Sequence, residues 1–221
     1  VYVSDKAGAH DFEIIRKLTL SDGRALRLPE PAQPSPDSLF VDPRKEDALL
    51  KVFNRSGEVG VLGLFNCHSD DESEDRNVAR GSVTEAIRST DVVGLSGQRH
   101  VFYGHTRGLL GVRDRGQPVE LELGPMRSEV VIVAPIENGA ALIGLKDKYL
   151  APAAVSEFGW ATKRNLNLNT RGGGTLALYS ERRPRGVRAN GEPIDFSWNK
   201  RDKLLEVALH GETEQRIEVE Y

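Results

Sequence analysis

The chain has 221 residues, of which 38% are hydrophobic and 29% charged, a balance that fits a globular chain with a real core rather than a disordered one. Thirty Lys and Arg stand against 33 Asp and Glu, so nothing in the charge invites nucleic acid, and no apolar run approaches the roughly 20 residues of a membrane helix. The single cysteine excludes an internal disulfide and a thiolate zinc cluster; it fits a reducing compartment, so a cytoplasmic location without nucleic-acid or membrane partners is expected.

In chain order, Val1, Tyr2 and Val3 are good strand formers, residues 4–9 form a polar loop, and Asp11 is placed to cap a helix carrying Phe12, Ile14, Ile15 and Leu18. Strand, loop and helix make the repeating piece of an α/β barrel or doubly wound sheet, and no later segment supplies the parallel neighbours it needs. The chain opens at Val1 without an initiator Met, so it is expected to be the tail of a longer protein.

Residues 19–37 hold Asp22-Gly23 and Pro29, Pro31, Pro34 and Pro36, which rule out a regular helix or central strand and predict an extended connector. From there the periodic segments alternate at strand spacing. Residues 49–54 and 59–66 predict a hairpin across Arg55-Ser56-Gly57-Glu58, and the second run is apolar on both faces, with glycines suited to close approach by another backbone. The run Ser69-Asp70-Asp71-Glu72-Ser73-Glu74-Asp75 reads as a solvated acidic loop, because it lacks the Gly turn and terminal Glu of a calcium loop.

Residues 83–93 fit either a short helix or an irregular crossing. Strands follow at 99–105, 109–113, 119–123, 128–135 and 141–145, joined by short turns. Residues 146–158 predict a loop with one helical turn, and strands resume at 159–163, 165–169 and 175–181. Arg171-Gly172-Gly173-Gly174 is a flexible turn and not a phosphate loop, since no Lys-Ser or Lys-Thr follows. Residues 186–189 and 193–198 flank Asn190-Gly191, the strongest hairpin signal, and strands at 203–209 and 215–221 finish the chain.

Single residues carry less. Cys67 is expected to be a small buried residue at a strand end. His10 reads as a cap or surface residue. His100 and His105 sit on opposite faces of one strand, a poor arrangement for sharing a metal. Trp160 and Trp198 either fill the core or stack on sugars. Arg182, Arg183 and Arg185 beside Pro184 form a turn with exposed charge.

The blocks Val1-Tyr2-Val3-Ser4-Asp5-Lys6-x-Gly8-x-His10-Asp11-Phe12, Leu39-Phe40-Val41-Asp42-Pro43, Leu50-Lys51-Val52-Phe53-Asn54 and Gly60-Val61-Leu62-Gly63-Leu64-Phe65-Asn66-Cys67 resemble the raffinose synthase, seed imbibition protein and alkaline α-galactosidase group of glycoside hydrolase family 36. The resemblance continues through Ile132-Val133-Ala134-Pro135-Ile136, Gly144-Leu145-x-Asp147-Lys148-Tyr149 and Tyr179-Ser180-Glu181-Arg182-Arg183-Pro184, nearly the whole chain, and ordered blocks are more specific than one motif. It implies a mainly β fold: an antiparallel C-terminal β-sandwich preceded by a strand-helix remnant of a (β/α)8 barrel. The divisions are residues 1–20 for the end of the barrel, 21–45 for a connector and 46–221 for the sandwich. The acidic run and Ala7, where the group usually has Pro, depart from the pattern.

The resemblance also implies function. The intact enzyme would cleave or transfer an α-galactosyl group with retention, through a galactosyl-Asp intermediate and without a metal or organic cofactor. Both catalytic Asp residues would lie upstream, so no catalytic residue is assigned and the chain alone is expected to be inactive. Its expected partners are the upstream barrel and an α-galactoside or raffinose-family oligosaccharide. Ser4, Asp5 and Lys6 would sit on the barrel rim and either touch the sugar or, for Asp5, cap the following turn. The alternative is a free-standing sandwich that binds carbohydrate or protein, with Trp160, Trp198 or Tyr103 exposed.

Overall fold

The computed structural model describes residues 10–68 and 81–221. The expected first strand, the Ser4, Asp5 and Lys6 loop and the acidic run 69–75 all lie outside the described residues.

The chain enters through α1 (Phe12–Leu18), whose start follows from Asp11: its carboxylate accepts the N–H groups of Glu13 and Ile14 at 2.9 and 3.2 Å. None of the helix's seven residues is buried. After it Leu20 and Leu26 enter the main core, and the proline-rich connector runs extended to β1 (Gln33–Pro34) and a single helical turn, Asp37–Phe40.

Strands then follow almost without interruption. They are β2 (Leu50–Ser56), β3 (Val59–Phe65), β4 (Val83–Ile87), β5 (Arg99–Gly104), β6 (Gly108–Asp114), β7 (Val119–Leu123), β8 (Ser128–Pro135) and β9 (Ala140–Leu145). The second half adds β10 (Val155–Trp160), β11 (Asn165–Thr170), β12 (Gly174–Ser180), β13 (Gly186–Ala189), β14 (Glu192–Pro193), β15 (Ser197–Asn199), β16 (Leu204–Leu209) and β17 (Gln215–Glu220). Their antiparallel pairing makes sheets of order β1-β2-β3-β8-β5-β6, β10-β11-β17-β13-β14, β15-β16-β12-β9 and β4-β7. The mainly β, antiparallel, sandwich-like class expected from the sequence is what forms.

Strand alternation explains how these sheets stack. In the six-stranded sheet Val59, Val61, Val101, Tyr103, Ile132 and Ala134 join one core, while Leu62, Leu64, Phe102, Val131 and Val133 turn to a second core closed by β4 and β7. That sheet is buried on both faces, which is why β3 reads as a continuous apolar run. Gly60 makes room there, although for a side chain and not the expected backbone: a Cβ would lie 2.9 Å from Val92 Cγ1. Across the first core lie β9 and β12, buried at nearly every position, and the inward rows Leu166, Leu168, Val187, Ile217 and Val219 of the five-stranded sheet.

Three local expectations are settled or changed. Residues 83–93 are neither a helix nor an irregular crossing; Val83 and Ile87 alternate inward on β4, which pairs with β7, before a helical turn at Ser89–Asp91. The helical turn expected within 146–158 is present at Ala151–Ala154, but the next strand starts at Val155, earlier than 159. Asn190 and Gly191 take φ of 53° and 87°, the double left-handed geometry of a type I′ turn. The hairpin is short, because after Pro193 the chain leaves the five-stranded sheet and Trp198 pairs in the four-stranded one.

Candidate functional site

The block Gly144-Leu145-Lys146-Asp147-Lys148-Tyr149 closes β9 and turns back on itself, Lys148 N–H bonding to the Leu145 carbonyl at 2.9 Å. Only glycine fits at 144: its φ is +103°, and a Cβ would lie 2.2 Å from the Ala151 carbonyl oxygen. The fold-back aims Lys148 and Tyr149 at the end of α1.

A helix leaves its last carbonyls without partners, and its C-terminus carries partial negative charge. Lys148 Nζ donates to the Arg16 carbonyl at 2.8 Å, and the Tyr149 N–H donates to the Lys17 carbonyl at 3.0 Å. Lys17 in turn places its ammonium 5.1 Å from the centre of the Tyr149 ring, whose other neighbour is His105 with ring centres 4.6 Å apart. Asp147 sits 3.3 Å from Lys148 Nζ and accepts the Thr175 N–H, so the Lys148 charge is balanced. Glu129, buried, accepts the N–H groups of Thr106 and Val130 and fixes the turn that carries His105, which lies just past β5 and not on one strand with His100 as expected. Lys17, His105, Thr106, Asp147 and Lys148 line a cleft of about 620 Å³. Burial and the Lys17 charge push the His105 pKa below its ordinary 6.5.

Holding a helix end is what this junction does, because its polar groups are engaged with one another. The helix so held turns its apolar side chains outward: Phe12 is 60% exposed, and Ile14, Ile15 and Leu18 are exposed as well. On the connector Leu39 is 61% and Phe40 89% exposed. Isolated exposed apolar residues are ordinary, but four on seven helical residues are an unfilled face.

The connector turn bearing Leu39 and Phe40 is itself pinned by a buried cation. Lys51 lies on β2 between Leu49 and Phe53, 1% exposed, and pairs with Asp37 of the connector turn, with Glu85 of β4 at 2.6 Å and with Asp91 at 3.5 Å. Ser35 N–H bonds to the Lys51 carbonyl, and Ser38 Oγ accepts the Lys51 N–H. Burial works against the Lys51 charge, but bonds to Asp37 and Glu85 outweigh it and hold its pKa above 10.5. For Asp37 burial is likewise outweighed by Lys51 and Ser35, and the carboxyl stays below its ordinary range; for Asp91 burial prevails and pushes it up.

The remaining sequence candidates are scattered. His10 is exposed. Cys67 is half-buried rather than fully buried, with burial pushing its thiol pKa up. His100 is fully buried with Nε2 2.7 Å from the Ser96 carbonyl. Trp160 and Trp198 are half-buried against the main core, each donating its indole N–H to a backbone carbonyl, those of Glu137 and Ser180. Arg182 lies over the Tyr221 ring at 5.3 Å, and Arg182, Arg183 and Arg185 are exposed. Among the described residues no group of three or more His, Cys, Asp or Glu is placed to hold a metal.

Sequence reasoning on single residues missed Lys51, Lys148 and Tyr149 as organising groups, although each lies inside a block that carried the resemblance. A lysine alternating in phase with Leu49 and Phe53 was the available signal.

Comparison with known proteins matches residues 1–209 to the family described as raffinose synthase or seed imbibition protein Sip1. A galactinol–sucrose galactosyltransferase of Oryza sativa subsp. japonica is 33% identical over 100% of this chain and 31% of its own length. A probable galactinol–sucrose galactosyltransferase 1 of Arabidopsis thaliana is 30% identical, covering 95% of this chain and 31% of its own. A stachyose synthase of Pisum sativum is 26% identical over 92% of this chain and 26% of its own. The chain thus spans between about a quarter and a third of these relatives' length. With the family model covering all but its last twelve residues, the chain belongs to the raffinose synthase or seed imbibition protein family.

Proposed function

We propose that this chain is the C-terminal region of an enzyme that moves an α-galactosyl group, and that its work is to hold the end of an upstream catalytic barrel. The observation that carries the reading is α1: its C-terminus is fastened to the sandwich by Lys148 and Tyr149, while Phe12, Ile14, Ile15 and Leu18 are exposed. A helix fixed at one end and apolar on its open side suits a body packed against that side. The relatives, about three to four times as long as the region matched here, are named for galactosyl transfer from galactinol to sucrose and for stachyose synthesis, which supports transfer over hydrolysis.

In this reading the nucleophilic and acid/base carboxylates come from the barrel, no metal or organic cofactor takes part, and the isolated chain is inactive. Ser4, Asp5 and Lys6 belong to the rim facing the sugar. The enzyme acts in the cytoplasm; among the described residues no helix is long and apolar enough to cross a membrane. The free-standing binding module is the weaker reading, since Tyr103 is buried and both tryptophans are half-buried with their N–H groups engaged.

The test measures galactosyl transfer from galactinol to sucrose, and galactose release from raffinose, for the purified chain and for a form extended upstream through the barrel. Activity confined to the extended form is expected. Activity of the short chain would sink the claim that the catalytic pair lies upstream, and a folded but silent extended form would sink the enzymatic reading.

A further inference from the structure

The outer face of the five-stranded sheet carries an array that the junction does not use. Leu166, Leu168, Val187, Ile217 and Val219 turn inward, so alternation points their neighbours outward in register. One row runs Asn165, Glu220, Gly186 and the next Asn167, Glu218, Arg188. Gly186 is the reason for a depression in the first row: a Cβ built there meets nothing within 4 Å. The hollow has a volume of about 490 Å³, within the roughly 300–1,000 Å³ of small-ligand sites.

The polar groups around it are poised and underused. Arg216 Nε pairs with Glu218 Oε1 at 3.1 Å, which orients that carboxylate. Among the described residues the side chains of Asn165, Asn167 and Glu220 have no hydrogen-bond partner. Two guanidinium groups and two carboxylates cancel, so the hollow selects neither an anion nor a cation. Side-by-side amide, carboxylate and guanidinium groups both donate and accept in pairs, the pattern that adjacent hydroxyls on one ring can satisfy together. Among the described residues no aromatic ring lines the hollow to stack a nucleobase.

We propose that this face is a binding site for a neutral polyhydroxylated ligand, a mono- or oligosaccharide, with Asn167, Glu218 and Arg188 as the central contacts. The inference does not rest on where catalysis occurs. Without a stacking ring the affinity is of millimolar order, as expected when hydrogen bonds exchange with water.

The test is a titration of the chain's backbone amide spectrum with raffinose, with sodium phosphate as the charged control. Saturable shifts confined to β11, β13 and β17 are expected with raffinose and absent with phosphate. Gly186→Leu fills the hollow at a position with free space, and it should weaken binding at least about tenfold while the rest of the spectrum stays in place. Asn167→Ala, a change on the exposed face, should weaken it in the same direction. No saturable shift with raffinose, shifts unchanged in Gly186→Leu, or a stronger response to phosphate would each overturn the proposal.

Discussion

Lys148 reaches back 132 residues to place its ammonium 2.8 Å from the carbonyl oxygen of Arg16, so a charge on the sandwich closes the open end of the helix that leads into it. A charge-assisted hydrogen bond of this kind contributes about 1.5–3 kcal/mol. Lys148→Met keeps the length and apolar stem of the side chain and removes the charge. Its expected effect is local: residues 12–18 lose amide-exchange protection and become cleavable, while the melting of the strands shifts little. A variant whose α1 stays as protected as in the parent would show that the Tyr149 N–H and the Lys17–Tyr149 contact suffice.

Lys51 makes a different prediction because it is a hub. Removing one member of a buried charge cluster leaves the others unpaired, at about 3–5 kcal/mol, and the lower end applies here because Asp37 reaches solvent. Lys51→Met should therefore cost about 3 kcal/mol in urea unfolding and free the turn bearing Leu39 and Phe40. Adding Asp91→Asn should restore part of the loss, since that carboxyl is the most deeply buried of the three. No recovery in the double variant would mean that lost packing, not unpaired charge, sets the cost.

The sheet was legible where the sequence alternates or runs apolar, as in β3, β5, β7 and β8, because burial on one or two faces writes itself into the residue pattern. It was illegible where long-range pairing overrides local signal. Val83-Thr84-Glu85-Ala86-Ile87 has as many apolar residues as β7 but puts Glu85 where alternation calls for an apolar one, and becomes a strand because β7 offers it an edge. The break after Pro193 follows from which sheet Trp198 joins, a tertiary fact. At the junction the sequence supplied the block containing Lys148 and Tyr149 but not its task, since a helix end 132 residues away leaves no local trace.

Gly144 tests the fold-back that aims Lys148. In Gly144→Ala the new methyl would sit 2.2 Å from the Ala151 carbonyl oxygen and 2.7 Å from Pro152 N, both backbone atoms that cannot swing aside. Positive φ adds strain of about 1–3 kcal/mol before the overlap is counted. The expected outcome is a loss of at least about 3 kcal/mol, visible as a much lower melting temperature or failure to fold. Gly57→Ala, also at positive φ but in open space, is the control and should cost about 1 kcal/mol. Equal effects of the two would assign the cost to backbone strain alone.

The two histidines of β5 and its turn set the response to mild acid. Burial, with the charge of Arg115, lowers the His100 pKa below 6.5, and burial with the charge of Lys17 does the same for His105. The unfolded chain then takes up protons first as pH falls through about 6.5, while the folded chain does not. Their contribution is complete above 6.5 and shrinks as pH falls from there toward the folded pKa values, by at most about 1.4 kcal/mol per pH unit for each group. Asp91, raised by burial, acts in the opposite sense, so the histidines must be isolated by substitution. His105→Phe preserves a ring against Tyr149 and removes the titration. Urea midpoints measured between pH 8 and pH 5 should fall less steeply for this variant than for the parent, and His100→Gln should flatten the remaining slope. An unchanged slope in both would show that other groups govern acid stability.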